Sequence, residues 1–177
     1  MNCVAATFVM AQATDINPKP PEGRSQAISF GIAIPLGNFA ATHFGGLTVE
    51  YLWSKNRFRQ PKTKPVKSFG FIATGGLVYY AGKKETISGY LYDYPGYFFL
   101  HAFGGMLYNP VKNGSVTLTA GPALGIYNGN TKFNIGSKLE VSHYISKKIA
   151  IGPGIILMKE SGADPIWATS LKATLNL

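Results

Sequence analysis

The sequence predicts an all-β protein, an eight-stranded antiparallel up-and-down transmembrane β-barrel, on three observations. Apolar residues alternate with small or polar ones at period two through most of the chain, which is the pattern of strands with two unlike faces. The alternating runs are about twice the length of ordinary globular strands. Charge is scarce: 14% of residues are charged, against roughly 25% in soluble domains.

The rest of the composition agrees. A chain of 177 residues with 46% hydrophobic content fits one domain, and its 21 glycines and 13% aromatics suit a β-protein in lipid. The single cysteine, Cys3, excludes an internal disulfide or a cysteine-based metal site. A net charge of +9 raises nucleic acid as a partner. The basic residues instead crowd one proline-containing stretch, Lys55, Arg57, Arg59, Lys62, Lys64 and Lys67. That stretch reads as a solvated connection between strands, so no nucleic-acid partner is expected.

Taken in order, the alternating segments run over 25–36, 43–54, 68–81, 97–108, 115–127, 132–145, 149–159 and 166–177. The first places Ile28, Phe30, Ile32, Ile34 and Leu36 on one face and Ser29, Gly31 and Ala33 on the other. The fifth opposes Val116, Leu118, Ala120, Leu124 and Ile126 to Ser115, Thr117, Thr119, Gly121 and Gly125. Leu139 and Val141 on the sixth, Ile155 on the seventh, and Trp167, Leu171 and Leu175 on the last continue the oily face, which is expected to meet lipid. The uncharged stretch 113–131 is long enough for a membrane helix, but its glycines, Pro122 and period of two favour a strand.

Lipid then dictates closure. No water is available there to satisfy an open sheet edge, so the first strand must pair with the last. Aromatic residues give an independent check, because rings in membrane barrels collect at the two interfaces. Tyr51, Trp53, Phe69, Tyr108 and Tyr144 fall near one expected rim. Phe44, Tyr79, Tyr80, Tyr97, Phe98, Tyr127, Phe133 and Trp167 fall near the other, with Phe103 a mid-strand exception. Of these, Tyr51, Trp53, Tyr79, Tyr108, Tyr127 and Trp167 are the expected interface aromatics.

Residues 1–13 form a short apolar run ending in Ala11-Gln12-Ala13, the small-x-small pattern of a secretory cleavage site, and read as a signal-peptide remnant. Residues 14–24 read as a flexible segment and 25–177 as the barrel. With that cleavage site, the opening text Ser29-Phe30-Gly31-Ile32-Ala33-Ile34-Pro35-Leu36-Gly37 and glycine-rich alternating hairpins to the C-terminus, the chain resembles the small outer-membrane barrels, the family of the OmpA transmembrane domain and OmpX. It departs from them in ending on Leu177 where members usually carry Phe, and in the long basic connection over 55–67. The resemblance implies a bacterial outer-membrane location, contact with outer-membrane lipid and lipopolysaccharide, passage through the outer-membrane assembly machinery, and a monomer. An extracellular partner is not identified by it.

The parity of the strands also selects the charges expected inside: Glu50 on the second strand, Lys138 and Glu140 on the sixth, and Lys172 on the eighth. All four fall six to eight residues from one end of their strands, so they are expected to share a layer and form a salt-bridge network. An eight-stranded barrel has room for little beyond side chains, so its inner charges must pair. The expected role is therefore structural or surface-interacting, with a plugged lumen and at most a narrow ion path. A soluble lipocalin-like barrel holding a small apolar ligand, with its oily face inward, is the alternative, and a lipid-A-modifying barrel enzyme is a third reading. Against catalysis, Ser142 and His143 point to opposite faces. His43, His101 and His143 lie on separate strands without metal-ligand spacing. No metal, cofactor or enzymatic activity is expected.

Outside the strands, the connections at one end carry Lys112, Lys147 and Lys148 besides the 55–67 cluster, with no acid. The opposite loops mix Lys83, Lys84 and Lys159 with Glu85, Asp93, Glu160 and Asp164. The stretch from Ile87 to Pro95, with Tyr90, Tyr92 and Tyr94, reads as a strand extension above the membrane and as the candidate for outside contacts.

Overall fold

A computed structural model describes residues 25–54, 68–111, 113–146, 148–160 and 164–177. The expected signal remnant, the flexible segment and the basic connection all lie outside the described residues. In chain order the elements are β1 (Ser25–Leu36), α1 (Asn38–Thr42), β2 (His43–Ser54), β3 (Ser68–Gly82), β4 (Lys84–Ile87), β5 (Tyr90–Asp93), β6 (Tyr97–Val111), β7 (Gly114–Tyr127), β8 (Asn130–Tyr144), β9 (Ile149–Glu160) and β10 (Ile166–Asn176).

Eight of the strands close into a barrel in the order β1-β10-β9-β8-β7-β6-β3-β2. Every seam is antiparallel, and β1 pairs with β10 from Ala27 opposite Asn176 to Leu36 opposite Trp167. The remaining strands, β4 and β5, pair only with each other and form a hairpin that prolongs the β3–β6 connection. We call that end of the barrel the hairpin end, and the end with the β6–β7 and β8–β9 turns the opposite end. Two-residue turns match the twist of antiparallel strands when both central residues take positive φ. Asn128 and Gly129 do so between β7 and β8 at 48° and 74°, and Ser88 and Gly89 do so in the small hairpin at 52° and 83°.

Alternation decides which way each strand faces. Phe30, Ile32, Ile34, Leu47, Leu118, Leu124, Leu139, Val141, Ile155, Leu171 and Leu175 are exposed on the outside, and Ile28 is half-buried among them. Their neighbours in sequence turn inward and pack as two apolar clusters. Ala33, Val78, Tyr80, Tyr97, Phe99, Phe103, Ala123, Ile156, Met158, Ile166 and Ala168 fill the half nearer the hairpin end. Ala27, Leu52, Ile72, Leu107, Tyr144 and Ala150 fill the opposite end.

The rims correct part of the aromatic expectation. Tyr51, Tyr79 and Trp167 are exposed outside, and Trp53 and Tyr108 are half-buried there, Tyr108 stacking on Phe69 at 4.4 Å. Tyr127, expected at the lipid interface, instead stacks on Tyr97 at 5.5 Å inside the mouth. Tyr80, Tyr97 and Tyr144 are likewise buried inside the barrel. The reason is parity: a ring at a strand end reaches lipid only from an outward position. Phe103 is explained the same way, buried inside against His101 at a ring distance of 4.7 Å. Glu160 is not a loop residue as expected, since it closes β9 with its side chain turned inward.

Candidate functional site

Between the two apolar clusters lies a layer of charge. Glu50 reaches it from β2, Lys138 and Glu140 from β8, and Lys172 from β10. Lys138 Nζ donates to Glu50 Oε2 at 2.6 Å and lies 2.8 Å from Glu140 Oε2. Lys172 Nζ donates to Glu50 Oε1 at 2.7 Å and to Glu140 Oε1 at 2.5 Å. Each ammonium thus bridges both carboxylates, and the two positive charges balance the two negative ones. The side chains of Glu50 and Lys138 are wholly excluded from solvent. A buried charge is tolerated only when it is paired and hydrogen-bonded, which this four-membered ring achieves.

His101 is a fifth member that the sequence reading did not place. Its Nε2 stands 3.4 Å from Glu50 Oε1, buried on β6. The signal was available, because His101 has the same parity as the inward residues Phe99 and Phe103. Beneath the ring, Ser29 and Thr174 share a hydroxyl hydrogen bond of 2.6 Å. A cavity of about 20 Å³, the size of one water, borders Glu140 and Lys172 on that side.

The layer also has a steric requirement that only the strand register reveals. Three of the four residues of the Glu–Lys ring face a glycine on the neighbouring strand: Lys172 opposite Gly31, Glu50 opposite Gly76 and Glu140 opposite Gly154. A Cβ at Gly31 would collide with Lys172 Cγ, one at Gly76 with Glu50 Cγ, and one at Gly154 with Glu140 Cγ. The absent side chains leave the space in which the long charged ones lie across the barrel.

Nearer the hairpin end, α1 turns Phe39 into the mouth. Its ring stacks on His43 at 4.3 Å and meets Tyr80 edge-on at 5.0 Å. His43 is held by Thr42 Oγ1 at 2.8 Å and by the Pro95 carbonyl at 3.2 Å. Deeper in, Tyr97 stacks on Phe99 at 4.3 Å. Tyr97 donates its hydroxyl to Glu160 Oε2 at 3.1 Å, and Lys132 approaches Glu160 Oε1 at 2.6 Å.

Of the residues considered for catalysis, Ser142 faces inward and His143 is exposed outside, so the structure does not bring them together. His43, His101 and His143 are also apart on β2, β6 and β8. Among the described residues no group of three or more His, Cys, Asp or Glu is placed to hold a metal ion.

The architecture is that of the small eight-stranded outer-membrane β-barrels. A crystal structure of Ail, the attachment invasion locus protein of Yersinia pestis, in complex with the heparin analogue sucrose octasulfate superposes with a TM-score of 0.56 at 12% identity, covering 88% of this chain and 99% of that one. A second crystal structure of Ail gives 0.55 at 11% identity with the same coverage. The backbone structure of Ail in a phospholipid bilayer nanodisc gives 0.54 at 12% identity over 86% of this chain and 99% of that one. At that identity the likeness concerns the fold. No family model matches the sequence, and no curated protein does.

Proposed function

We propose that this chain is an integral protein of a bacterial outer membrane, exported through a signal peptide, with a structural or surface-interaction role and no enzymatic activity. The barrel anchors the loops of the hairpin end on the outside. Its lumen is plugged by side chains and leaves at most a narrow ion path. Lipid and lipopolysaccharide surround it, the outer-membrane assembly machinery inserts it, and it works as a monomer.

One observation carries this reading: the direction of the two faces. Large apolar side chains such as Phe30, Ile32, Leu118 and Leu171 are exposed on the wall, while Glu50, Lys138 and Lys172 are buried within it. A soluble lipocalin-like barrel needs the reverse, with oily residues around an inner cavity and charges in water. Contiguous apolar surface on this scale requires a covering, and around a closed barrel acyl chains supply it. The β4–β5 hairpin supports the surface role, since it exposes Ile87, Tyr90, Leu91 and Tyr92 beyond the barrel.

The test is membrane fractionation combined with cold and boiled electrophoresis. A closed barrel stays folded in cold detergent and migrates differently after boiling. We expect the protein in the outer-membrane fraction with two band positions. A detergent-independent soluble protein with a single band position refutes the reading.

A further inference from the structure

The mouth at the hairpin end encloses a cavity of about 360 Å³, above the packed rings of Tyr80, Phe99 and Phe103. That volume lies at the low end for small-molecule sites. Its walls combine the rings of Phe39, His43, Tyr97 and Tyr127 with Lys132 and one carboxylate, Glu160.

The exposure of the two charged residues differs sharply. The Glu160 side chain is 8% exposed and that of Lys132 57%. The carboxylate is therefore fixed in the wall, held by the Tyr97 hydroxyl, while its cation reaches over from solvent on a long stem. An ion pair with one exposed, flexible partner contributes little, and that partner exchanges readily. The face of an aromatic ring carries negative potential and attracts the same sign of charge. Tyr97 is itself stacked on Phe99 and Tyr127, which leaves that attraction to the lining rings of Phe39 and Tyr127. His43 presents its ring to the cavity with both nitrogens already engaged by Thr42 and Pro95.

We propose that this mouth binds a small organic ammonium ion. Glu160 is its counter-ion, the rings of Phe39, Tyr97 and Tyr127 are its walls, and Lys132 is an internal occupant that the ligand displaces. An anion would meet a carboxylate fixed in the wall, with Lys132 the lysine of the lining in its favour. A neutral ligand would gain no charge attraction from Glu160. The site goes beyond the structural or surface role above and requires only the closed barrel.

The experiment is titration calorimetry on the full chain folded in detergent micelles, with choline and with its neutral isostere in which carbon replaces the ammonium nitrogen. Choline is expected to bind and the isostere is not. Glu160→Gln should weaken choline binding about tenfold or more, because it removes the counter-charge to a quaternary ammonium that has no N–H to donate. Lys132→Ala should strengthen it, because it removes the competing ammonium. That opposite sign distinguishes a displaced occupant from a ligand contact. Tyr127→Leu is a second route should the glutamine variant not fold, and it should weaken choline binding without creating affinity for the isostere. Cold and boiled electrophoresis of each sample shows whether the barrel is closed, so loss of fold is separated from loss of the site. No choline binding to the closed barrel, equal binding of the isostere, or weaker binding in Lys132→Ala overturns the proposal.

Discussion

Lys138 and Glu50, 88 positions apart in the chain, meet at 2.6 Å in the middle of the barrel with both side chains excluded from solvent. Removing one charge leaves the other buried and underpaired, whereas removing both leaves Lys172 still bonded to Glu140. Breaking one side of such a pair costs about 3–5 kcal/mol, and replacing both members by apolar residues of similar volume is often close to neutral. Glu50→Gln is therefore expected to lower unfolding stability by about that amount, read from urea titration of the cold-gel band. Glu50→Met combined with Lys138→Met should recover much of the loss. A double variant as unstable as the sum of the two singles would show that the residues do not act as a pair. Glu50→Lys should be worse than Glu50→Gln, because it gathers three ammoniums around Glu140.

The glycine opposite Glu50 gives a second expectation. A Cβ at Gly76 would meet Glu50 Cγ and the Val49 carbonyl, and backbone cannot rotate away as a side-chain tip can. Gly76→Ala should destabilise the barrel by about 1–3 kcal/mol, the usual cost of overpacking. Gly45, also on a barrel strand, has its nearest Cβ contact at 3.5 Å and serves as the control. Gly45→Ala should unfold at the same urea concentration as the parent. Equal effects at the two positions would mean that the close approach is not what matters.

Much of this arrangement was legible in the sequence because parity along a strand is a local property. Ile28 to Leu36 alternates without a break, and β1 ends at Leu36 where that alternation does. The inward direction of Glu50, Lys138, Glu140 and Lys172 follows from the same count. Strand ends were less legible. β6 runs on to Val111, past the expected end at 108, and the register shift between Tyr108 and Val111 accommodates Pro110, a residue without an N–H. The start of β8 at Asn130, two residues earlier than expected, follows from the tight Asn128-Gly129 turn. The glycine partners of the charged layer were beyond reach for a different reason. Which residue faces which across a seam is set by closure of the whole barrel, and no local pattern encodes it. Tyr127 carries two conflicting signals: its place at a strand end suggests the interface, while its parity with Gly125 points inward, and parity prevails.

The outer wall yields a third expectation. Leu171 lies midway along β10, 55% exposed, and Ile149 opens β9 at the opposite rim, 45% exposed. In lipid the cost of an arginine depends on depth, about 2–4 kcal/mol at the midplane and about 0–1 near the interface. Leu171→Arg should impair folding into phospholipid vesicles by the larger amount and Ile149→Arg by the smaller, measured by reversible denaturant titration. Since the two sites are similarly exposed, equal and negligible costs would place the wall in water.

A permeant ion entering from the hairpin end would meet three barriers in series. It must pass the rings of Tyr80, Phe99 and Phe103, then the ring of Glu50, Lys138, Glu140 and Lys172, then Leu52, Ile72, Leu107 and Tyr144. The first and last are apolar and offer an ion no replacement for its hydration shell. The middle one is electrically balanced, and each ammonium there spans two carboxylates, so admitting an ion means breaking two charge-assisted bonds at once. On the plugged-lumen reading, planar-bilayer recordings of the intact protein should show no steady open-pore steps. Leu107→Ala with Tyr144→Ala should remain silent as well, because it clears the last barrier only and leaves the charged ring in place. Steady, ion-selective steps from the intact protein would mean that the ring parts on the millisecond scale, and the plug would then have to be replaced by a gate.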